Sequence, residues 1–225
     1  MIILILNISR YIIYFIFYSF AGWVLEVLVK LYTEKRFVNR GFLIGPVCPI
    51  YGWGVLFIVG LINGDFRDIL SVFLKSILIC SILEYTTSYV MEKIFKARWW
   101  DYSNKRFNIN GRICLETMIP FGLGGSLAVV FIHPFVVKSI SYLSNNTTII
   151  VAIILFTLYL IDNIVSFNVL SKIKIQIRKY NVDSTEAIKG KMINWMNNNS
   201  ILFKRIMNAF PRFRIISYVK ERIKK

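Results

Sequence analysis

Five apolar segments, each long enough to cross a bilayer, constrain this chain more than any other feature. A helix needs about 20 mostly apolar residues to cross a hydrocarbon core about 30 Å thick. Segments of that length lie at residues 11–31, 42–62, 69–91, 113–133 and 149–170. The chain is 56% hydrophobic, which is typical of a membrane protein. The sequence therefore predicts an all-α polytopic membrane bundle of about five transmembrane helices in residues 1–170, embedded in a lipid bilayer.

Basic residues are distributed unevenly between the two sides of this predicted bundle. With five spans, loops 30–41 and 92–112 and the tail from residue 171 to 225 share one side and carry 24 Lys and Arg. The opposite side carries three, and Lys75 lies within the third span. Lys and Arg concentrate in cytoplasmic loops. The sequence therefore predicts an N-terminus outside and a cytoplasmic C-terminus.

The tail at residues 171–225 is basic and amphipathic. Two stretches in it, DSTEAIKGKMINWMNNN and ILFKRIMNAF, have the pattern of amphipathic helices, and Pro211 follows the second. Such helices lie on an anionic leaflet or dock on a partner subunit. Both interpretations of the tail remain open from the sequence.

Acidic residues inside the apolar segments are the strongest candidates for a functional site. A charge near the bilayer centre costs about 2.5–3.5 kcal/mol, so such residues usually face the protein interior or water. The predicted topology puts all of them in the cytoplasmic half of four different spans, where one bundle can gather them into a layer. These residues are Glu26, Glu84, Glu116 and Asp162.

Two interpretations of the acids stay open. They bind a cation, a proton or a cationic substrate group in a cavity open to the cytoplasm, or they form ion pairs that fix helix packing. The basic residues available for pairing are Lys30, Arg40, Arg98 and Arg112. Arg112 and Glu116 have the i,i+4 spacing of a helical ion pair. Asp162 has no basic neighbour in sequence and is the first candidate for a ligand-binding group.

The stretch RGFLIGPVCPIYGWG at residues 40–54 interrupts the second apolar segment. A proline inside a helix removes a backbone donor and clashes with the preceding turn. Irregular backbone at membrane depth is tolerated where it is buried in protein or lines a water-filled cavity. The stretch is either a tight, kinked helix contact or a discontinuous helix that presents carbonyls to a ligand. The residues that break the helical pattern are Gly45, Pro46, Pro49 and Gly52.

Several catalytic and metal sites are excluded by residue type. The chain has one His and three Cys without metal-ligand spacing, which predicts no metal site and no cofactor. It has no P-loop and no G-x-S-x-G motif. We therefore expect no enzymatic activity, with an acid-based intramembrane enzyme as the remaining third hypothesis. The basic and aromatic residues at 97–112 favour a membrane-interface belt over nucleic-acid binding.

Three stretches resemble one family of bacterial membrane proteins. The stretches are GFLIGPVCPIYGWG, LEYTTSYVMEKIFKARWWDYS and FNINGRICLE, and the resemblance covers about residues 10–135. The family is the CmpB-like ABC-transporter permeases of type IV. The resemblance implies an inner-membrane permease subunit for an unknown small solute or ion, working with a separate ATPase subunit. The alternative function is a non-transporting membrane scaffold or regulator whose acids form structural ion pairs. Since five spans are few for a permease, we expect a homo-oligomer or a second membrane subunit.

Overall fold

Helices dominate the computed structural model, which describes residues 1–62, 68–95, 97–179, 201–210 and 214–215. The α-helices are α1 (Ile2–Glu34), α2 (Pro49–Ile62), α3 (Ile69–Phe95), α4 (Leu115–Leu127), α5 (His133–Ser141), α6 (Asn145–Lys179) and α7 (Ile201–Ala209). A π-helix at Ala128–Ile132 joins α4 to α5 in one rod. Two antiparallel strand pairs complete the described structure: β1 (Ala97–Arg98) with β4 (Arg214–Ile215), and β2 (Asn108–Ile109) with β3 (Ile113–Cys114).

Four helices in the described residues are long and apolar enough to cross a membrane. They are α1, α3, the rod from Leu115 to Ser141, and Asn145–Lys172 of α6. Their outward-facing side chains are mostly large and apolar, which suits contact with lipid rather than water. The prediction of an all-α membrane bundle is confirmed.

The second apolar segment is less helical than the other four. α2 has 14 residues, which corresponds to about 21 Å at the rise of an α-helix. The helix begins at Pro49 because the first helical position needs no backbone donor and proline already has a helical φ. Pro49 and Gly52, predicted as parts of the break, therefore belong to α2. The break itself covers residues 41–48, which we call the irregular segment.

The two ends of the bundle have different interiors. Aliphatic and tyrosine side chains from α1, α2, α3, the π-helix, α5 and α6 form a contiguous core at the end we call the apolar end. The end where α1 and α3 finish and α4 begins carries the irregular segment and most of the ion pairs, and we call it the basic end. An aromatic cluster also lies there, formed by Phe42, Phe95, Trp99, Phe167 and Phe210.

Candidate functional site

Asp162 on α6 holds the irregular segment in place. One carboxylate oxygen accepts the backbone N–H of Ile44 at 2.9 Å, and the other accepts that of Gly45 at 2.9 Å. Ser166, one turn further along α6, donates its hydroxyl to Asp162 at 3.0 Å. A Cβ at position 45 would stand 2.8 Å from the carboxylate, so the approach requires glycine. Asp162 thus supplies acceptors for donors that the broken helix leaves unpaired.

The remainder of the irregular segment is also hydrogen-bonded. The backbone N–H of Cys48 donates to the carbonyl of Ser19 on α1 at 2.8 Å, and that of Val47 donates to the carbonyl of Gly45 at 2.9 Å. Asn39 donates its side-chain amide to the carbonyl of Ile44 at 3.1 Å. Backbone without helical hydrogen bonds is stable at membrane depth only with such partners. The segment is therefore a built feature of the fold, held between α1 and α6.

Glu26 on α1 contacts residues on both sides of the irregular segment, Arg40 before it and Tyr51 after it. It accepts the Tyr51 hydroxyl at 2.7 Å and the Arg40 Nε at 3.2 Å. Tyr51 reaches it because α1 and α2 are in close contact: a Cβ at Gly22 would lie 2.2 Å from the Tyr51 ring. The predicted pairing of Arg40 with an intramembrane acid is thus present in the structure.

Glu84 on α3 has different partners. Its side chain is buried, with the residue 5% exposed. It accepts hydrogen bonds from the hydroxyls of Thr117, at 3.4 Å, and of Tyr102. In the part of the chain that the structure describes, no Lys or Arg forms an ion pair with Glu84. The carboxylate of Glu26 is within electrostatic range.

Tyr102 lies in the loop between β1 and β2, is partly buried, and bonds Glu84 through its hydroxyl. Burial raises the pKa of its phenol above the ordinary value, and the negative charges of Glu84 and Glu26 raise it further. Tyr102 is therefore a neutral hydroxyl donor to Glu84 at physiological pH. The buried surroundings of Glu84 thus contain hydroxyl donors and another acid.

Glu116 does not join the other acids. Its side chain is 59% exposed and pairs with Lys105 at 2.7 Å. The i,i+4 pair of Arg112 with Glu116 is not formed, because α4 begins at Leu115 and Arg112 precedes the helix. Arg112 is 6% exposed and donates to Glu92 at 2.9 Å. The structure places Glu26 and Glu84 within electrostatic range of each other, links Asp162 to them through the irregular segment, and leaves Glu116 outside.

The structure identifies partners that the sequence analysis missed. Glu92 accepts Arg98 at 2.9 Å as well as Arg112, so both predicted basic partners meet one acid near the end of α3. Its sequence signal was its position eight residues after Glu84, on the same helical face. Tyr51, Tyr102 and Thr117 were missed because hydroxyl residues in an apolar chain carry no distinctive pattern.

We call Glu26, Arg40, Tyr51, Glu84, Tyr102 and Thr117 the polar cluster. It is built from α1, α2, α3, α4 and two loops, and the irregular segment connects it to Asp162. Groups of three or more potential metal ligands are absent from the described residues. The cluster offers a buried carboxyl among hydroxyls, next to a carboxylate whose charge is matched by an arginine. Such a site suits a proton, a monovalent cation or a cationic group.

Fold and site together define a polytopic membrane protein with a buried acidic cluster near one end. The chain belongs to the transporter family described as "Putative ABC-transporter type IV", whose sequence model matches residues 13–167. The matched range starts in α1, ends in α6 and contains the whole polar cluster with Asp162. No curated protein and no solved structure matches the chain.

Proposed function

We propose that the chain is the permease-like transmembrane subunit of an ABC-type transporter that moves a small solute or ion. Membership of a transporter family supports a transport role. The sequence contains no P-loop, so we assign ATP hydrolysis to a separate subunit and propose no enzymatic activity for this chain. The observation that carries the proposal is Glu84, a buried carboxyl with hydroxyl partners and another acid nearby.

Glu84 is the residue to which we assign ligand binding, with Glu26 beside it. A buried carboxylate without a cationic partner is costly, and a bound proton or cation offsets that cost. Glu26 already has Arg40 and a tyrosine hydroxyl, so its charge is largely compensated. Asp162 was the first candidate by sequence, but its hydrogen bonds to Ile44, Gly45 and Ser166 support a role in shaping the irregular segment.

We propose that the protein lies in a bacterial inner membrane with its N-terminus outside and its C-terminus in the cytoplasm. The 24 to 3 distribution of basic residues supports this orientation. In this orientation the polar cluster lies toward the cytoplasmic side of the bundle, where an ATPase subunit would bind. Assembly with further copies or a second membrane subunit belongs to the same proposal.

Purification from native membranes in a mild detergent tests the proposal. An affinity-tagged chain should retain an ATPase subunit in a fixed ratio, and the isolated complex should hydrolyse ATP. The variant Glu84→Gln should retain the same subunit while losing the coupled activity. Repeated purification without any ATPase, together with a different stoichiometric partner, would contradict the transporter proposal.

A second candidate function is a non-transporting scaffold or regulator. It is favoured by the ion pairs at the basic end, namely Arg40 with Glu26, Arg112 with Glu92 and Lys105 with Glu116. In this case the acids stabilise helix packing, and replacing Glu84 has little effect on function. The Glu84→Gln complex distinguishes the two, because a scaffold would keep full activity of whatever partner it binds.

A further inference from the structure

The C-terminal segment of the chain returns to the basic end of its own bundle. Arg205 on α7 donates from its two terminal guanidinium nitrogens to the carbonyls of Gly41 and Phe42, each at 3.3 Å. Arg40 donates in the opposite direction, to the carbonyl of Ala209 at the end of α7, at 2.6 Å. The two arginines therefore form reciprocal hydrogen bonds between α7 and the irregular segment. These bonds are charge-assisted and directional.

Apolar contacts strengthen the same interface. The ring of Phe210 meets that of Trp99 edge to face at a centroid distance of 5.2 Å. The Arg40 guanidinium stands 5.9 Å from the centre of the Phe210 ring, within reach of a cation–π interaction. Ile206 and Ala209 on α7 are buried. The docked face of α7 thus combines an aliphatic centre with an aromatic and arginine border.

A strand pair adds a third attachment. Beyond Phe210, β4 pairs antiparallel with β1, so that Ala97 lies opposite Ile215 and Arg98 opposite Arg214. β1 follows α3 and precedes the loop that carries Tyr102. The C-terminal part of the described chain is therefore attached to the basic end at two places: α7 at the irregular segment and β4 at the strand β1 after α3.

Arg40 links this interface to the polar cluster. One guanidinium donates to Ala209 of α7 and to Glu26 of α1. Arg205 is also partly withdrawn from water, and burial lowers its pKa below the ordinary value, while the charge of Asp162 opposes that shift. Docking of α7 therefore places a second positive charge beside the acids of the basic end. Undocking would remove it and would leave Arg40 with fewer partners.

We propose that α7, Phe210 and β4 form an intramolecular clasp, which closes the basic end over the polar cluster and opens it when released. The clasp is held by two arginines, one aromatic contact and one short strand pair, so it can detach without unfolding the helices beneath it. The segment that covers the basic end is therefore the C-terminal part of this same chain. The inference does not depend on transport, because closure and release are properties of the single chain.

Disulfide trapping tests whether the clasp is docked in the intact protein. Opposed residues of an antiparallel pair have Cα atoms about 4.5–5.5 Å apart, within the range of a disulfide. The double variant Ala97→Cys, Ile215→Cys, carrying an inserted protease site near residue 190, should keep its C-terminal fragment after oxidation and cleavage. The single variant Ala97→Cys is the control and should release the fragment. Release from the oxidised double variant would overturn the clasp.

Thiol labelling tests whether the clasp closes the basic end. Cys48 ends the irregular segment and is 8% exposed, while Cys114 at the start of α4 is 1% exposed. In mild detergent, Arg205→Gln should increase the rate of N-ethylmaleimide labelling at Cys48 about tenfold, since it loses charge-assisted hydrogen bonds. Phe210→Ala should act in the same direction. Site-resolved mass spectrometry separates the two cysteines.

Two internal references keep this test decisive. Arg36→Gln alters an arginine that is exposed and pairs with Glu34, away from α7, and should leave Cys48 labelling unchanged. Protection of Cys114 reports that the bundle is still folded. If Arg205→Gln exposes Cys114 as well, Phe210→Ala decides the outcome. Unchanged labelling of Cys48 in a folded Phe210→Ala or Arg205→Gln protein would overturn the proposed closure.

Discussion

At the apolar end of the bundle, regular helices pack through aliphatic side chains, whereas the basic end contains the irregular segment, several carboxyls and several arginines. The buried histidine of the apolar end, His133, bonds the Tyr18 hydroxyl at 3.0 Å. At the basic end most polar groups are matched by specific partners, as Asp162 is by two backbone donors. Neither Asp162 nor Glu84 has a cationic hydrogen-bond partner among the described residues, but Asp162 binds two backbone N–H groups whereas the buried Glu84 is bonded to side-chain hydroxyls. The regular helices thus form the apolar core, whereas the irregular segment contributes to the polar site.

The largest effect should come from separating α1 from α2. A Cβ at Gly52 would stand 2.6 Å from the Phe15 carbonyl oxygen and 2.4 Å from the Ser19 hydroxyl. Gly52→Val should therefore lower the stability by at least about 3 kcal/mol, because backbone must move. Gly60→Val on the same helix is the control, since nothing lies within 4 Å of a Cβ there. Monodisperse yield and melting temperature in detergent measure both; equal losses would contradict the proposed helix contact.

A slightly smaller effect is expected from breaking the buried ion pair of the basic end. Arg112→Gln leaves Glu92 with Arg98 alone and should cost about 3 kcal/mol. The exposed pair offers a matched comparison, because Lys105→Gln should cost less than about 1 kcal/mol. Thermal unfolding of the two variants in the same detergent gives the comparison. A larger loss of stability for Lys105→Gln than for Arg112→Gln would show that the exposed pair, and not the buried one, stabilises the fold.

Asp162→Asn should have an intermediate effect at the irregular segment. An amide has one acceptor oxygen. With that oxygen toward Gly45, the Ile44 N–H keeps only the Ser166 hydroxyl, at 3.2 Å, and faces the amide NH₂ group, so we expect a cost of about 1 kcal/mol. Faster thiol labelling of Cys48, next to Ser19 on α1, should accompany the loss. Ser166→Ala removes the hydroxyl that donates to Asp162 and accepts the Ile44 N–H at 3.2 Å. It should have a smaller effect, because both backbone N–H groups keep the Asp162 carboxylate. If Asp162→Asn changed neither the stability nor the rate of Cys48 labelling, the carboxylate would not hold the segment.

The smallest effect on stability should follow Glu84→Gln. The amide retains an acceptor for the hydroxyls of Thr117 and Tyr102, and no described cation loses its partner. We expect a change within about 0.5 kcal/mol, or a gain, because a buried charge without a cationic partner is removed. Differential scanning fluorimetry of the purified protein measures the change. A loss comparable to that of Asp162→Asn would show that Glu84 is a structural carboxylate.

Much of the fold follows from local sequence, because apolar length and proline positions act within one segment. Membrane-length helices and the interruption before Pro49 are therefore predictable. The partners of Asp162 are not, since Ile44 lies 118 residues away and its contribution is a backbone amide common to every residue. The predicted pair of Arg112 with Glu116 was wrong, because the i,i+4 spacing brings side chains together only within a helix and α4 begins at Leu115.

The C-terminal tail shows the limit of pattern most clearly. Its amphipathic stretch ILFKRIMNAF indicated a helix, and α7 forms there, but the pattern is equally suited to lipid, a partner or the chain's own bundle. Only the position of Arg205 against the carbonyls of Gly41 and Phe42 selects the third. The other amphipathic stretch, in residues 183–199, lies outside the described residues.

We propose that the basic end contains a structural carboxylate, Asp162, and a ligand-binding carboxyl, Glu84. The most direct test compares Glu84→Gln with wild type in the proposed complex with an ATPase subunit, measuring melting temperature and ATP hydrolysis in the same preparation. For Glu84→Gln we expect an unchanged melting temperature and loss of the coupled ATP hydrolysis. A Glu84→Gln complex with full ATP hydrolysis, or one that melts well below wild type, would contradict it.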